Sequence, residues 1–125
     1  MGNKTNPRYA NGSLRVKNRR RLRAEERPCW ICQLFGRNSH IDYSLPAGHP
    51  MSFEVDELIP VSRYWIGGYG SPEQCANDYR NLAATHRCCN QWRSNKSVAE
   101  VMRIAASESG VFAGKEEGLP QPWGV

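Results

Sequence analysis

Four residues fall into two matched pairs whose types suit a soft metal ion. Cys29-Trp30-Ile31-Cys32 is a C-x-x-C knuckle, and His86 and Cys89 repeat the same separation. Two such pairs, each set in a turn or at a helix start, can point three thiolates and one imidazole at a single tetrahedral zinc ion. The chain has five cysteines. An odd number without a secretory leader favours metal ligation over a disulfide framework. Cys88 is a competing ligand to His86, but adjacent Cys88 and Cys89 cannot converge on one ion without distortion, so Cys88 and Cys75 are read as free thiols. Between the pairs stand Val55-Asp56-Glu57-Leu58-Ile59-Pro60 and Asn81-Leu82, and after them Cys89-Asn90 with Arg93 and Lys96. Taken alone, Asp56-Glu57 reads equally well as an acidic turn at a strand end, and Arg87, Arg93 and Lys96 as the charges of any exposed helix or as phosphate contacts.

These side chains need elements to hold them. Phe53, Val55 and Leu58-Ile59 mark a short strand within 52–60, closed by Pro60. Asn81-Leu82-Ala83-Ala84-Thr85 predicts a second strand, leading into a helix that begins around His86–Cys89. Ser97-Val98-Ala99-Glu100 is a capping box opening a C-terminal helix, with Val98, Val101, Met102 and Ala105 on one face and Gly110 as its stop signal. Residues 62–72 read as a Gly- and aromatic-rich loop whose Tyr64, Trp65 and Tyr69 pack that loop or stack on bases. His40 and His49 read as polar loop residues. From Ser13 to Glu26 the composition permits a helix, but Leu14, Val16 and Leu22 make a poor apolar stripe. The expectation there is an arm that orders on nucleic acid.

Charge supports that division. The net charge is +5, but residues 1–27 hold nine basic and two acidic residues, and 28–125 hold eight and ten. A basic arm on a near-neutral domain suits a polyanion, with Arg19, Arg20, Arg21 and Arg23 as phosphate contacts. The expected organisation is a partly disordered DNA-binding arm over 1–27, a zinc-stabilised domain over 28–110 and a tail over 111–125. At 125 residues, 39% hydrophobic, with mean hydropathy −0.68, the core is small and needs reinforcement. Zinc would supply it. No apolar run approaches the roughly 20 residues of a membrane span. The polar, basic start lacks an apolar signal core, and Asn6 stands where a myristoylation signal needs Ser or Thr. A soluble cytoplasmic protein is expected, with no membrane partner and no small-molecule cofactor.

The blocks V-D-E-L-I-P, N-L and H-R-C-C-N, in that order and spacing, resemble the HNH endonucleases, whose ββα-metal module reads approximately V-D-H-I-x-P, N-L and C-x-x-C-N-x-x-K. The likeness covers about residues 28–97, and Leu45-Pro46-Ala47-Gly48-His49-Pro50-Met51-Ser52-Phe53 looks most like HNH proteins of actinobacterial phages and prophages. The resemblance implies a small α+β fold with a ββα-metal core, a structural Zn²⁺ on Cys29, Cys32, His86 and Cys89, and a catalytic Mg²⁺ or Mn²⁺ on Asp56 and Asn90. It further implies that Asn81 orients the general base. Hard oxygen ligands suit such an ion, which can stabilise the charge of a phosphoryl transition state. The implied activity is hydrolysis of phosphodiester bonds in double-stranded DNA, by nicking or by cutting both strands. A phage terminase or packaging protein is an implied partner, and the location is then the host cytoplasm.

One position departs from the family pattern. Glu57 stands where the family has its water-activating histidine, and a carboxylate is the weaker base, with an ordinary pKa of about 4.3 against about 6.5. Three readings stay open. Glu57 is the base or an added metal ligand; His49 or His40 swings in from the preceding loop; or the site is degenerate and the protein a zinc-stabilised DNA-binding or packaging accessory.

Overall fold

The computed structural model describes residues 12–111. Helix α1, Gly12–Glu25, precedes the short helix α2, Trp30–Leu34, which grows out of the cysteine knuckle. After a turn-rich stretch comes β1, Phe53–Glu57, then a 3-10 turn, Val61–Gly67, and helix α3, Pro72–Asn77. A second 3-10 turn, Tyr79–Asn81, delivers the chain to β2, Leu82–His86, which runs without a break into α4, Arg87–Arg93. Helix α5, Val98–Val111, ends the described part. The result is a small α+β arrangement with a two-stranded antiparallel sheet, in which Phe53 pairs with His86, Val55 with Ala84 and Glu57 with Leu82.

Side chains alternate between the faces of a strand, and this alternation organises the molecule. Glu54 and Asp56 contact residues of α4, whereas Phe53 and Glu57 contact residues of α1. The main core joins Leu22, Ile31, Phe35, Ile41, Phe53, Leu82, Val101 and Ala105 to the cysteines Cys29, Cys32, Cys88 and Cys89. A second, smaller cluster of Val61, Cys75 and Ala76 is covered by Ile59, Tyr64 and Tyr69 and fixes the loop after β1. Tyr64 and Tyr69 thus pack that loop, and Trp65 stands 61% exposed.

The N-terminal segment departs from expectation. Residues 12–25 are not an arm awaiting nucleic acid; they form a helix packed on the domain. Its inner stripe is Asn18 and Leu22, spaced i, i+4, and Leu22 is fully buried. The Asn18 amide is satisfied by donating to the Asn77 carbonyl at 2.9 Å. An asparagine in the middle of the buried face is why the apolar pattern looked poor. Burying one leucine contributes about 1.5–3 kcal/mol towards docking this helix on the domain. A boundary at 27/28 therefore does not separate two bodies. Residues 1–11 and 112–125, including most of the expected tail, lie outside the described residues.

Two further differences concern helix signals. Residues 72–77 form α3, with Ser71 Oγ accepting from the Gln74 amide and Pro72 in the first turn; Ser-Pro-Glu is a start signal the loop reading passed over. Gly110 does not stop α5, which continues to Val111, because one glycine costs a helix only about 1 kcal/mol. No helix among the described residues is long and apolar enough to cross a membrane.

Candidate functional site

The knuckle and the β2–α4 junction bring Cys29, Cys32, His86 and Cys89 together, all buried, with their ligand atoms within 4.8 Å of one another. Cys32 Sγ lies 3.5 Å from His86 Nδ1 and 3.6 Å from Cys89 Sγ. His86 Nε2 is 3.0 Å from the His40 carbonyl oxygen. With Nε2 turned to that carbonyl, Nδ1 is the nitrogen that faces the sulfurs and the one a metal would take in place of a proton. Hydrogen bonds from Cys32 and Cys89 hold Cys29 well below the usual thiol range, and contacts with Cys29 and Cys32 push Cys89 up. Burial works to lower His86, but Cys29 and Cys32 outweigh it and raise this imidazole to about 10. Four buried groups thus compete for protons and positive charge, a demand that a divalent soft cation meets. The group can hold a metal ion such as zinc. Cys75 and Cys88 are outside it: Cys75 Sγ donates to the Ile59 carbonyl at 3.3 Å, and Cys88 Sγ lies 3.6 Å from Met51 Sδ.

A second site lies along β1. A cleft of about 450 Å³ collects Glu54, Asp56, Glu57 and Asn90, together with Arg15 and Arg19 of α1 and Arg93 of α4. Asp56 is 6% exposed, and its Oδ2 accepts from both Trp30 Nε1, at 2.8 Å, and Arg93 Nη1, at 2.7 Å. Burial pushes the Asp56 carboxyl above the ordinary value, and the Arg93 guanidinium beside it only partly offsets that. Trp30 stands between the zinc-type ligands Cys29 and Cys32, so one knuckle serves both sites. Asn90 Nδ2 donates to Glu54 Oε1 at 3.0 Å, leaving the amide oxygen as its other polar atom. Glu57 is 7% exposed and lies 3.4 Å from Arg15 Nη1 through its Oε2.

Several expected site residues take other roles. Arg93 is not a surface phosphate contact. At 1% exposure it is the hub of the cleft floor, donating through Nη1 to Glu57 O, through Nη2 to Leu58 O and through Nε to Lys96 O, besides Asp56. The reason is its place three residues after Asn90, on the side of α4 that faces β1. Lys96 sits over the Trp92 ring and donates to the Trp92 carbonyl, outside the cleft lining. Asn81 acts on main chain: its Oδ1 accepts from Ile59 N, its Nδ2 donates to Ile59 O and Cys75 O, and its carbonyl accepts from Leu58 N. It fixes the chain immediately after Glu57 and touches the cleft through that chain. Neither alternative histidine lines the cleft. His49 Nδ1 accepts from the Met51 amide, and His40 offers its carbonyl to His86.

On α1, Arg21 lies 3.8 Å over the Tyr79 ring and Arg23 donates to the Tyr43 carbonyl, so both are held against the domain. Arg20 is exposed, and Arg19 reaches the cleft. Sequence reasoning missed Arg15, Trp30 and Glu54. Their partners lie 42, 26 and 36 residues away in the chain, and only Trp30, inside the knuckle, carried a local signal. Comparisons with protein-family models, with curated proteins and with solved structures gave no match.

Proposed function

We propose that this protein is a metal-dependent DNA endonuclease of the HNH, or ββα-metal, type, with a structural Zn²⁺ on Cys29, Cys32, His86 and Cys89. One observation carries the reading: a cleft between α1 and α4 brings together Glu54, Asp56, Glu57 and Asn90 beside Arg15, Arg19 and Arg93. The oxygen set suits a hard divalent ion, because both donors to Asp56 converge on Oδ2 and leave Oδ1, while Asn90 keeps its amide oxygen. Mg²⁺ or Mn²⁺ on Asp56 and Asn90 would supply charge stabilisation for the phosphoryl transition state and the departing oxygen. Glu57 takes the proton of the attacking water. As the water oxygen bonds to phosphorus, the P–O3′ bond breaks and the leaving oxygen takes a proton from solvent. Arg93 and Trp30 hold Asp56 in one orientation, and Asn81 holds the chain behind Glu57. A phage or prophage setting, with a terminase or packaging protein as partner, belongs to the same proposal and rests on the motifs.

A second reading is favoured by one observation. The buried Arg93 guanidinium against Asp56 already balances the charge that a cation would balance, as expected of a zinc-stabilised DNA-binding accessory without turnover. Supercoiled-plasmid cleavage at neutral pH in Mg²⁺, Mn²⁺ or EDTA separates the two. Ion-dependent nicking by the intact chain, lost in Asn90→Ala and reduced by about 10²-fold or more in Glu57→Gln, is expected of the endonuclease. Folded, zinc-loaded protein that binds duplex DNA and cuts none of it in either ion would leave the accessory reading standing instead.

A further inference from the structure

The basic residues of α1 look alike in the sequence, and the fold sorts them. Arg21 and Arg23, with Arg27 just beyond the helix, lie against Tyr79 and Tyr43. Lys17 and Arg20 are exposed and lie outside the cleft lining. Arg15 and Arg19, one helical turn apart and so neighbours on one face, both line the cleft that holds Glu54, Asp56, Glu57 and Asn90. The Arg19 guanidinium lies 5.1 Å over the Phe53 ring, which orients it, and it makes no ion pair among the described residues. Arg15 meets Glu57 at 3.4 Å, long against the roughly 2.7–2.9 Å of a well-formed charge-assisted hydrogen bond. That contact is weak enough to exchange for a better anion.

We propose that Arg15 and Arg19 form a clamp for the phosphodiester backbone of duplex DNA on the α1 wall of the cleft, with Arg15 passing from Glu57 to a phosphate oxygen when DNA binds. Guanidinium forks match phosphate bidentately, and two of them one turn apart fix a strand's path where a single point charge would not. The occupant is a duplex, because single strands are held by stacking on aromatic platforms. Among the described residues of the cleft lining the one aromatic ring, Phe53, is already covered by Arg19. This rests on the DNA-directed part of the proposed function and not on cleavage.

The test is duplex binding by fluorescence anisotropy in EDTA, where nothing can be cut, across a salt series. Two double variants remove the same charge from the same helix: R15Q/R19Q from the cleft wall and K17Q/R20Q from the exposed side. R15Q/R19Q should weaken binding about tenfold or more and flatten the slope of log K against log salt by about 1.8, the loss of two phosphate contacts, with K17Q/R20Q changing both by less than half as much. E57Q should tighten binding about threefold, the size of an exposed ion pair, and should do nothing once Arg15 is glutamine. If R15Q/R19Q does not retain zinc, R15K/R19K takes its place and should weaken binding with the salt slope preserved; parent-level binding by that variant overturns the clamp. Equal losses in the two glutamine pairs, or single-stranded RNA outcompeting the duplex, also overturn it. A parent that cuts plasmid while both pairs bind alike refutes the clamp and spares the endonuclease. A parent that cuts nothing while R15Q/R19Q selectively loses DNA does the reverse.

Discussion

Asp56 shows how much one carboxylate can depend on residues far away in the chain. Its Oδ2 takes hydrogen bonds from Trp30 and from Arg93, which also lies 5.2 Å over the Trp30 ring. Asp56→Ala is consequently a poor probe of chemistry alone. It strips the carboxylate from a buried guanidinium, at a cost of about 3–5 kcal/mol, moderated by the three carbonyls Arg93 keeps. Trp30→Phe is gentler: it deletes one N–H to a charged acceptor and should lower stability by about 1.5–3 kcal/mol with zinc stoichiometry unchanged. Urea unfolding with zinc quantified in the same samples checks both, and a Trp30→Phe protein as stable as the parent would contradict the contact. The pH dependence has an unusual sign here. Asp56 titrates above its usual 3.8, so the folded state holds that proton more tightly than the unfolded chain does. Its contribution is present below the ordinary value and is lost as pH rises through the raised one, and Asp56→Asn should erase that component. At this scale the four metal-type ligands were legible because matched x-x spacings are local. Arg93 was misread because whether an arginine on a seven-residue helix faces in or out depends on the strand it meets.

The elements were legible where their own chemistry bounds them. Ser97 Oγ accepts from the Glu100 amide at 3.0 Å, and Glu100 Oε1 accepts from the Ser97 amide at 2.7 Å, the reciprocal cap that S-x-x-E announces. Ser97→Ala should cost about 1 kcal/mol, seen as a lower unfolding midpoint and faster amide exchange in the first turn of α5. The Ser97 amide holds Glu100 below its usual 4.5. Its support is therefore present above that value and disappears as pH falls through the lowered one, and Glu100→Gln should abolish the acid-side loss in α5 alone. Both strands were readable because short apolar stretches are bounded by punctuating residues: Phe53 and Val55 run up to Pro60, and Leu82-Ala83-Ala84-Thr85 begins directly after Asn81. Helix α1 was half legible: its helical character showed, but its docking depends on Asn18 meeting a carbonyl 59 residues away.

For the whole molecule, the magnitudes decide what holds it together. Apparent zinc affinity in structural sites is worth about 10–16 kcal/mol, against a typical total domain stability of about 5–15 kcal/mol. With zinc on the Cys29–Cys32–His86–Cys89 group, as proposed, a core as small as this one should not persist once the metal is removed. Chelation under mild conditions should abolish the helical circular dichroism of the chain, and zinc should restore it; an apo protein with an unchanged spectrum would show that the Cys29–Cys32–His86–Cys89 group is packing and not ligation. The knuckle carries Trp30 as well, so loss of the metal should disorient Asp56 at the same time, and any activity should vanish with the fold and not before it.

The same four ligands have a topological consequence. Cys32 and His86 are 54 residues apart in the chain, and a metal holding both turns the intervening segment into a closed ring that contains the two strands and α3. The entropy of closing such a ring grows only as the logarithm of its length, about 0.6 kcal/mol for each doubling. Residues added or removed in the 62–71 stretch, opposite the closure, would change that cost by a small fraction. Ring closure thus sets only a weak limit on the length of the segment between the strands, and the packing of Tyr64 and Tyr69 on Val61, Cys75 and Ala76 sets the stronger one.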